Sequence, residues 1–161
     1  MIMRKLNAHT PANGGLHKQK GVNLIELMIV VVIIGIIASI AYPSYTNQIQ
    51  QTRRADCAGA LVSLSGAMER HFTVTGSYLG AGPGGTPSGT PTIFAGTCPV
   101  DGSTPTYNLT IAAGTTVSTY LLQAAPIGPQ ADDKCGTLTF SNRGLKDVVG
   151  ADAGVTRDEC W

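Results

Sequence analysis

The chain has 161 residues, of which 43% are hydrophobic and 13% charged, enough for one modest core and too few for two independent domains. Its 11 basic and 10 acidic side chains give a net charge of +1, which supplies no general attraction for nucleic acid. Three histidines and four widely separated cysteines offer little material for metal or hydrolytic sites, so we expect no cofactor and no enzyme activity.

A basic head and a long apolar run open the chain. The basic side chains of residues 1 to 21 are Arg4, Lys5, Lys18 and Lys20, with no acid among them. Residues 22 to 41 carry a single charge, Glu26, and as a helix they would measure about 30 Å, the hydrocarbon thickness of a bilayer. We predict a single inner-membrane span, with the basic end cytoplasmic and the C-terminal part on the oxidising, periplasmic side.

An ordinary signal peptide is an alternative interpretation of this segment, because Ser39 and Ala41 place small residues near a cleavage point. Cleavage near Ala41 would release a secreted periplasmic binding module. Glu26 argues against it, since a carboxylate in a membrane helix costs about 2.5 to 3.5 kcal/mol on insertion scales. No Lys, Arg or His lies between residues 22 and 52, so we expect the compensating partner outside this segment.

The run Lys20-Gly21-Val22-Asn23-Leu24-Ile25-Glu26 resembles the processing signature of type IV pilins. The resemblance implies that a prepilin peptidase cuts between Gly21 and Val22 and methylates the new terminus at Val22. It makes Glu26 the fifth residue of the mature chain, where it would pair with the α-amine of a neighbouring subunit during assembly. Gly35 and Pro43 match the family's helix-weakening glycine and the proline that bends the helix, where a backbone donor is missing.

An amphipathic helix is predicted after Pro43. Its apolar side chains recur at steps of three and four residues and form a stripe that we expect to pack on a sheet: Cys57, Leu61, Leu64, Met68 and Phe72. We interpret Arg53 and Arg54 as part of a solvated helix face. Residues 73 to 105 are rich in Gly, Pro, Thr and Ser, and we expect a surface loop over residues 80 to 85.

Three strands are predicted in the remaining sequence, over residues 107 to 111, 117 to 124 and 137 to 140. The turns between them indicate an antiparallel meander. The fold class is therefore α+β: a long N-terminal helix packed on a small antiparallel β-meander with a disulfide-bounded C-terminal loop, the pilin fold. We divide the chain into a leader peptide (1–21), a transmembrane and filament-core helix (22–50) and a globular domain (51–161).

The four cysteines allow three pairings, and the sequence does not choose among them. We expect Cys135 to pair with Cys160, because this bond closes a C-terminal loop of about 25 residues and contributes about 3.5 kcal/mol in the chain-entropy description. Cys98 would then tie the glycine-rich loop to the helix at Cys57. The resemblance implies the same disulfide-bounded C-terminal region, and residues 119–146 together with Cys160 and Trp161 resemble the PilE group of minor pilins.

The acidic side chains of the C-terminal third lack the spacing of a calcium loop, and we interpret them as a solvated acidic surface. They are Asp132, Asp133, Asp147, Asp152, Asp158 and Glu159.

The function implied by the resemblance is that of a minor structural subunit of a type IV pilus, which supports motility, adhesion and DNA uptake. The expected partners are other pilin subunits, the prepilin peptidase, the inner-membrane assembly machinery and, before assembly, the inner membrane. After assembly the subunit would lie in the extracellular fibre. Direct DNA binding is not expected from the net charge. A pseudopilin of type II secretion is the alternative within the same family resemblance, disfavoured because major pseudopilins tend to use calcium where Cys135 and Cys160 stand here.

Overall fold

The structure is a computed structural model that describes residue 21 and residues 23–161, so the leader residues 1–20 and Val22 lie outside the described residues. Within the described part, α1 (Leu24–Thr75) precedes five strands: β1 (Thr97–Cys98), β2 (Tyr107–Ile111), β3 (Leu121–Pro126), β4 (Thr137–Ser141) and β5 (Lys146–Val149). Two 3-10 helices (Pro83–Gly85 and Gly128–Gln130) and the short helix α2 (Arg157–Cys160) complete it. The chain separates into a unit that ends at Ile40 and a second unit, Ala41–Trp161, called the head below.

The strands of the head form one antiparallel sheet in chain order, β1-β2-β3-β4-β5, which confirms the predicted meander. Its register places four apolar side chains in one row across the sheet: Leu109, Ala124, Leu138 and Val148. Because side chains alternate between the two faces of a strand, this row and the neighbouring Tyr107 and Leu122 form a single inner face. The sheet therefore offers one continuous apolar surface.

The predicted strands differ most from the structure at the start of β3 and in the absence of β1 and β5 from the prediction; β3 and β4 also end two residues and one residue later than predicted. β3 begins at Leu121 and not at residue 117, because Thr116 and Thr119 close a turn: the Thr116 amide donates to the Thr119 carbonyl oxygen at 2.9 Å. β1 was not predicted because it has only two residues. β5 was not predicted because its sequence, Lys-Asp-Val-Val, lacks a clear alternation of polar and apolar side chains.

The apolar stripe of α1 packs on the inner face of the sheet, as predicted. Cys57, Leu61, Leu64 and Met68 are fully buried, and Phe72 is partly buried against the same core. Their partners on the sheet are Tyr107, Leu109, Leu122 and Leu138, all without solvent exposure. Burying one large aliphatic side chain contributes about 1.5 to 3 kcal/mol, so this contact is the main source of stability in the head.

The glycine-rich segment is not only a surface loop, and that prediction is wrong for residues 81 and 82. Ala81 is fully buried and Tyr78 is 7% exposed, and both belong to the core. Gly82 lies so close to the chain at Ser88 that an added Cβ would come within 2.5 Å of the Ser88 carbonyl oxygen. Glycine here permits a close backbone approach that lets the loop fold back on itself.

Glu69 on α1 binds two tyrosines from other parts of the head. The Tyr78 hydroxyl donates to both carboxylate oxygens, at 3.0 and 2.9 Å, and the Tyr120 hydroxyl donates to one of them at 3.0 Å. The two rings meet edge to face with centroids 4.7 Å apart. Burial raises the pKa of Tyr120 to about 12, so the phenol stays a donor at neutral pH.

Arg54 and Asp133 form a buried ion pair, so the solvated-surface interpretation is wrong for both residues. Arg54 is 4% exposed and Asp133 is 6% exposed. The guanidinium donates twice, from Nε to Oδ2 at 3.0 Å and from Nη2 to Oδ1 at 2.5 Å. Such a bidentate pair fixes both the distance and the orientation of α1 relative to the segment before β4.

Asp133 accepts further hydrogen bonds from three groups. The Tyr107 hydroxyl and the Gln130 amide donate to Oδ2, the latter at 3.1 Å, and the Cys135 backbone amide donates to Oδ1 at 3.2 Å. We call Arg54, Tyr107, Gln130 and Asp133 the Asp133 cluster. Burial by itself raises the pKa of Asp133, but the hydrogen bonds from Arg54, Tyr107 and Gln130 outweigh it, and the pKa lies below its ordinary value.

Replacement of Asp133 tests the energetic weight of this cluster. Asp133→Asn leaves the Arg54 guanidinium buried without its counter-charge, and we expect a loss of about 3 to 5 kcal/mol in the free energy of unfolding at pH 7. Because the folded state lowers the pKa of Asp133, its contribution is present above the ordinary carboxyl pKa and is lost as the pH falls through the folded-state pKa. Denaturant unfolding of the full chain in detergent, from pH 7 to pH 2, measures both effects.

The neighbouring carboxylate supplies a matched control. Asp132 is exposed, so Asp132→Asn should change the free energy of unfolding by no more than about 0.5 kcal/mol at any pH. The difference between wild type and Asp133→Asn should shrink as the pH falls. A difference that stays constant down to pH 2 would show that the charge of Asp133 does not stabilise the fold.

Candidate functional site

The predicted processing site lies immediately before α1. Gly21 is exposed and not helical, and Val22 lies outside the described residues. Asn23 begins the helix: its side-chain oxygen accepts from the Ile25 amide at 3.4 Å, and its carbonyl oxygen accepts from the Leu27 amide at 3.2 Å. Asparagine is among the preferred residues for this capping role. The helix therefore starts at Leu24, three residues after the glycine that a peptidase would recognise, with Asn23 as its cap.

Glu26 occupies the first turn of α1, where the positive end of the helix dipole favours a carboxylate. It is exposed, and no salt bridge to it is present among residue 21 and residues 23–161. The structure thus places Glu26 on the apolar helix and leaves its charge without a salt-bridge partner among the described residues. Pairing with the amine of a neighbouring subunit stays a prediction.

The apolar half of α1 is exposed on every side. From Leu24 to Ile40 the exposed fractions of the large apolar side chains run from 47% at Val30 to 75% at Leu24. This part of α1 is long and apolar enough to cross a membrane. An apolar surface of this size requires cover from lipid or from other proteins.

Gly35 and Pro43 both lie inside α1, which keeps its helical hydrogen-bond pattern across them. Pro43 has no amide hydrogen for the preceding turn. Two nearby hydroxyls bond helix carbonyl oxygens: Ser39 Oγ donates to the Ile36 oxygen at 2.7 Å, and Thr46 Oγ1 donates to the Pro43 oxygen at 3.0 Å. A bend at these two residues stays a prediction.

Two disulfides are present in the head. Cys57 is bonded to Cys98, which joins α1 to β1, and Cys135 is bonded to Cys160, which joins the segment before β4 to α2. The Cα atoms are 5.6 and 5.8 Å apart, in the ordinary range for a disulfide. The described residues contain no free cysteine and no group of three or more His, Cys, Asp or Glu that could hold a metal ion.

A pocket near the C-terminus combines aromatic and basic side chains. No site was predicted there from the sequence. It has a volume of about 370 Å³ and is lined by Gly144, Leu145, Lys146, Arg157, Asp158 and Trp161; we call it the Trp161 pocket. The Lys146 ammonium lies 5.1 Å from the centre of the Trp161 ring, within reach of a cation–π contact. The one sequence signal for this site is the position of Trp161, the single tryptophan, directly after Cys160.

The Trp161 ring is held by contacts to two strands. Its Nε1 donates to the Asp147 carbonyl oxygen of β5 at 2.9 Å, and its centroid lies 5.9 Å from that of Phe140 in β4. Arg157 is 56% exposed at its side chain and pairs with Asp158 at 2.9 Å. An exposed ion pair contributes about 0 to 1 kcal/mol, so an external anion can compete with Asp158 for Arg157. The pocket can thus offer an aromatic ring and two cations to an anionic ligand.

Comparison with known proteins shows which family the chain resembles. The family model of the type IV minor pilin ComP, described as a DNA uptake sequence receptor, matches residues 43–139, and the model of the prokaryotic N-terminal methylation motif matches residues 16–42. These matches confirm the predicted resemblance to the type IV minor pilins.

A curated relative agrees with the family models. Fimbrial protein Q of Moraxella bovis is 32% identical over 151 residues, which cover 89% of this chain and 82% of the relative. A solved type IV pilin from Shewanella oneidensis is 26% identical, covers 70% of this chain and 97% of its own, and has a TM-score of 0.45.

The pseudopilin alternative receives little support from these comparisons. The type II secretion system core protein G of Klebsiella pneumoniae is 32% identical, but over 56 residues, which cover only 35% of this chain and 40% of the relative. The ComP model, in contrast, extends over most of the sheet. The chain therefore belongs to the type IV pilin family, as a minor pilin of the ComP group that carries the prokaryotic N-terminal methylation motif.

Proposed function

We propose that this chain is a minor subunit of a type IV pilus that takes part in DNA uptake and that its head contacts DNA directly. The observation that carries the proposal is the match of the ComP model to residues 43–139. Pilin membership implies a structural role and assembly with other pilins and with the pilus machinery. The exposed apolar half of α1 fits a membrane anchor that is later covered within the fibre.

Processing and assembly follow from the N-terminal segment in this proposal. A prepilin peptidase cuts after Gly21 and methylates Val22 while the apolar first half of α1 spans the inner membrane once with the head in the periplasm. The mature subunit then enters the extracellular fibre. Glu26 supports this order of events, because a carboxylate at this depth is costly in lipid and becomes favourable only beside a cation.

Net charge alone does not decide whether the head binds DNA. Without the four basic residues of the leader, the chain carries seven basic and ten acidic side chains. That balance opposes general attraction to the phosphate backbone, which supplies most non-specific binding. It leaves open a local site that positions phosphates and contacts bases at a few points. A receptor for a particular DNA sequence benefits from weak non-specific binding. Other DNA is present in large excess, and it competes less for the receptor when it is held weakly.

The Trp161 pocket is the described surface with the side chains for such a contact. Lys146 and Arg157 can bind phosphate oxygens, and Trp161 can contact a base or a sugar. Displacing Asp158 from Arg157 costs little because that ion pair is exposed. We assign the DNA contact of the head to this pocket.

Mass analysis tests the processing part of the proposal. Protein recovered from membranes and from sheared fibres should begin at Val22 with one added methyl group. Glu26→Gln should be cut and methylated normally but should appear in sheared fibres at a small fraction of the wild-type level, because the partner amine loses its counter-charge. Asp132→Asn, which removes an exposed carboxylate from the head, should leave fibre incorporation unchanged. Recovery of a soluble chain that begins near Tyr42 would contradict the proposal.

DNA titration of the mature chain in detergent tests the DNA contact. Because each lost phosphate contact reduces the slope of log affinity against log salt by about 0.9, Lys146→Gln with Arg157→Gln should reduce the slope by about 2. DNA should also change the emission of Trp161, which is the only tryptophan in the chain.

An exposed cation outside the Trp161 pocket supplies the control for this experiment. Arg70 lies on α1, and Arg70→Gln removes one positive charge, half of the change made by the double variant, without touching the pocket. It should leave both the slope and the Trp161 response unchanged. If all three proteins bind with the same slope, the DNA contact is not at this pocket; if the wild type does not bind, the DNA part of the proposal is wrong.

A further inference from the structure

We propose that Asp133 is a positioning residue for the Trp161 pocket, because it fastens the C-terminal tail, residues 150–161, to α1. The consequence for DNA rests on the proposed function, whereas the effect of Asp133 on Trp161 does not. Asp133 does not line the pocket itself. Its influence follows from the contacts of the two residues that come after it.

The first half of the connection joins Asp133 to α1. The two hydrogen bonds from Arg54 hold the carboxylate against the helix, and the Gln130 amide reaches the Gln50 carbonyl oxygen at 3.1 Å. Beyond these contacts, a groove of about 500 Å³ lies between α1 and the tail, lined by Asn47, Gln50, Gln51, Arg54, Lys134, Asp158 and Glu159. The tail therefore does not pack closely on this part of α1, and the Asp133 cluster provides the connection.

The second half joins Asp133 to the tail. Its Oδ1 accepts from the Cys135 amide at 3.2 Å, and Cys135 is bonded to Cys160. Lys134, which lies between Asp133 and Cys135, adds two contacts to the tail. Its carbonyl oxygen accepts from the Asp152 amide at 2.8 Å, and its ammonium lies 3.6 Å from the Glu159 carboxylate. The segment 133–135 thus carries the ion pair with Arg54 on α1 and three contacts to the tail, at Asp152, Glu159 and Cys160.

Apart from these contacts and those of the Trp161 ring with β4 and β5, the tail buries few side chains. Of its side chains only Cys160 is buried, while Val155 and Trp161 are partly buried against the core. Its helix α2 has four residues and cannot persist alone in water. Because Cys160 precedes Trp161 directly, the Cys135–Cys160 bond fixes the backbone next to the ring. The ring itself contacts Phe140 and Lys146 and donates to the Asp147 carbonyl oxygen.

Loss of the Asp133 charge should consequently move the Trp161 ring. Asp133→Asn leaves the guanidinium of Arg54 without its bidentate partner, so the segment from 133 to 135 loses its fixed distance from α1. The disulfide transmits this freedom to Cys160 and Trp161. The ring should then become more accessible to solvent and no longer present a fixed surface with Lys146 and Arg157.

Emission and quenching of Trp161 test the inference, because no other tryptophan contributes to the signal. Trp161 quenching is compared in the full mature chain in detergent for the wild type, Asp133→Asn and Glu69→Gln. Each protein is measured under conditions where far-ultraviolet circular dichroism shows it to be fully folded. Glu69→Gln is the matched control, since Glu69 also joins α1 to the rest of the head by carboxylate hydrogen bonds, but to Tyr78 and Tyr120. Asp133→Glu, which restores the charge with one added methylene, supplies the conservative rescue.

Asp133→Asn should raise the acrylamide quenching constant of Trp161 about twofold and weaken DNA binding about tenfold, equivalent to about 1.4 kcal/mol. Glu69→Gln should lower stability while leaving both values at the wild-type level, and Asp133→Glu should recover part of the change. If Asp133→Asn does not fold, Arg54→Lys, which keeps the charge and removes the bidentate geometry, is expected to show the same rise in quenching.

The results that overturn the inference differ from those that overturn the proposed function. If folded Asp133→Asn has the same quenching constant as Glu69→Gln, the cluster does not position Trp161. The same conclusion follows if Arg54→Lys, used in its place, has the same quenching constant as Glu69→Gln. A rise in quenching in a chain whose wild type binds no DNA would support the positioning role and reject the DNA contact.

Discussion

The packing of α1 on the sheet is the contact on which the rest of the head depends. One helix of 52 residues is apolar on all sides in its first half and apolar along a single stripe in its second half. The second half can be covered within the chain, because four fully buried side chains of the stripe meet four of the sheet. The first half cannot, and its exposed side chains require lipid or other subunits. One helix therefore carries both the stability of the head and the need to assemble.

Two carboxylates show the same division between contacts within the chain and contacts outside it. Asp133 is buried, and Arg54, Tyr107, Gln130 and the Cys135 amide all donate to it. Glu26 lies in an apolar segment and has no salt bridge among the described residues. Removing a carboxylate of the first kind destabilises the fold, whereas one of the second kind has a cost that only a partner outside the chain can offset. This difference fits the assembly role proposed for Glu26, whereas Asp133 serves the fold.

Periodicity predicted the elements whose neighbours are close in sequence and failed where long-range contacts decide. The stripe of α1 and the alternation of β2 were correct because each pattern reports a single buried face. The pair Arg54 and Asp133 was missed because its members are 79 positions apart and have neighbours of the same type, Arg53 and Asp132, that stay more exposed. The Trp161 pocket was missed for a similar reason, since β5, α2 and the C-terminus come together only in the folded head.

The two disulfides explain how polar, glycine-rich segments can hold defined positions in so small a head. β1 has two residues and α2 has four, so neither element buries enough apolar surface to be stable by itself. Each is bonded by a buried cysteine to a better-anchored part of the chain: Cys98 to α1, and Cys160 to the segment held by Asp133. Because covalent bonds and one ion pair replace apolar contacts there, the outer side chains of the tail are free to be polar or charged. The surface proposed to contact DNA can therefore differ in sequence without weakening the core formed by α1 and the sheet.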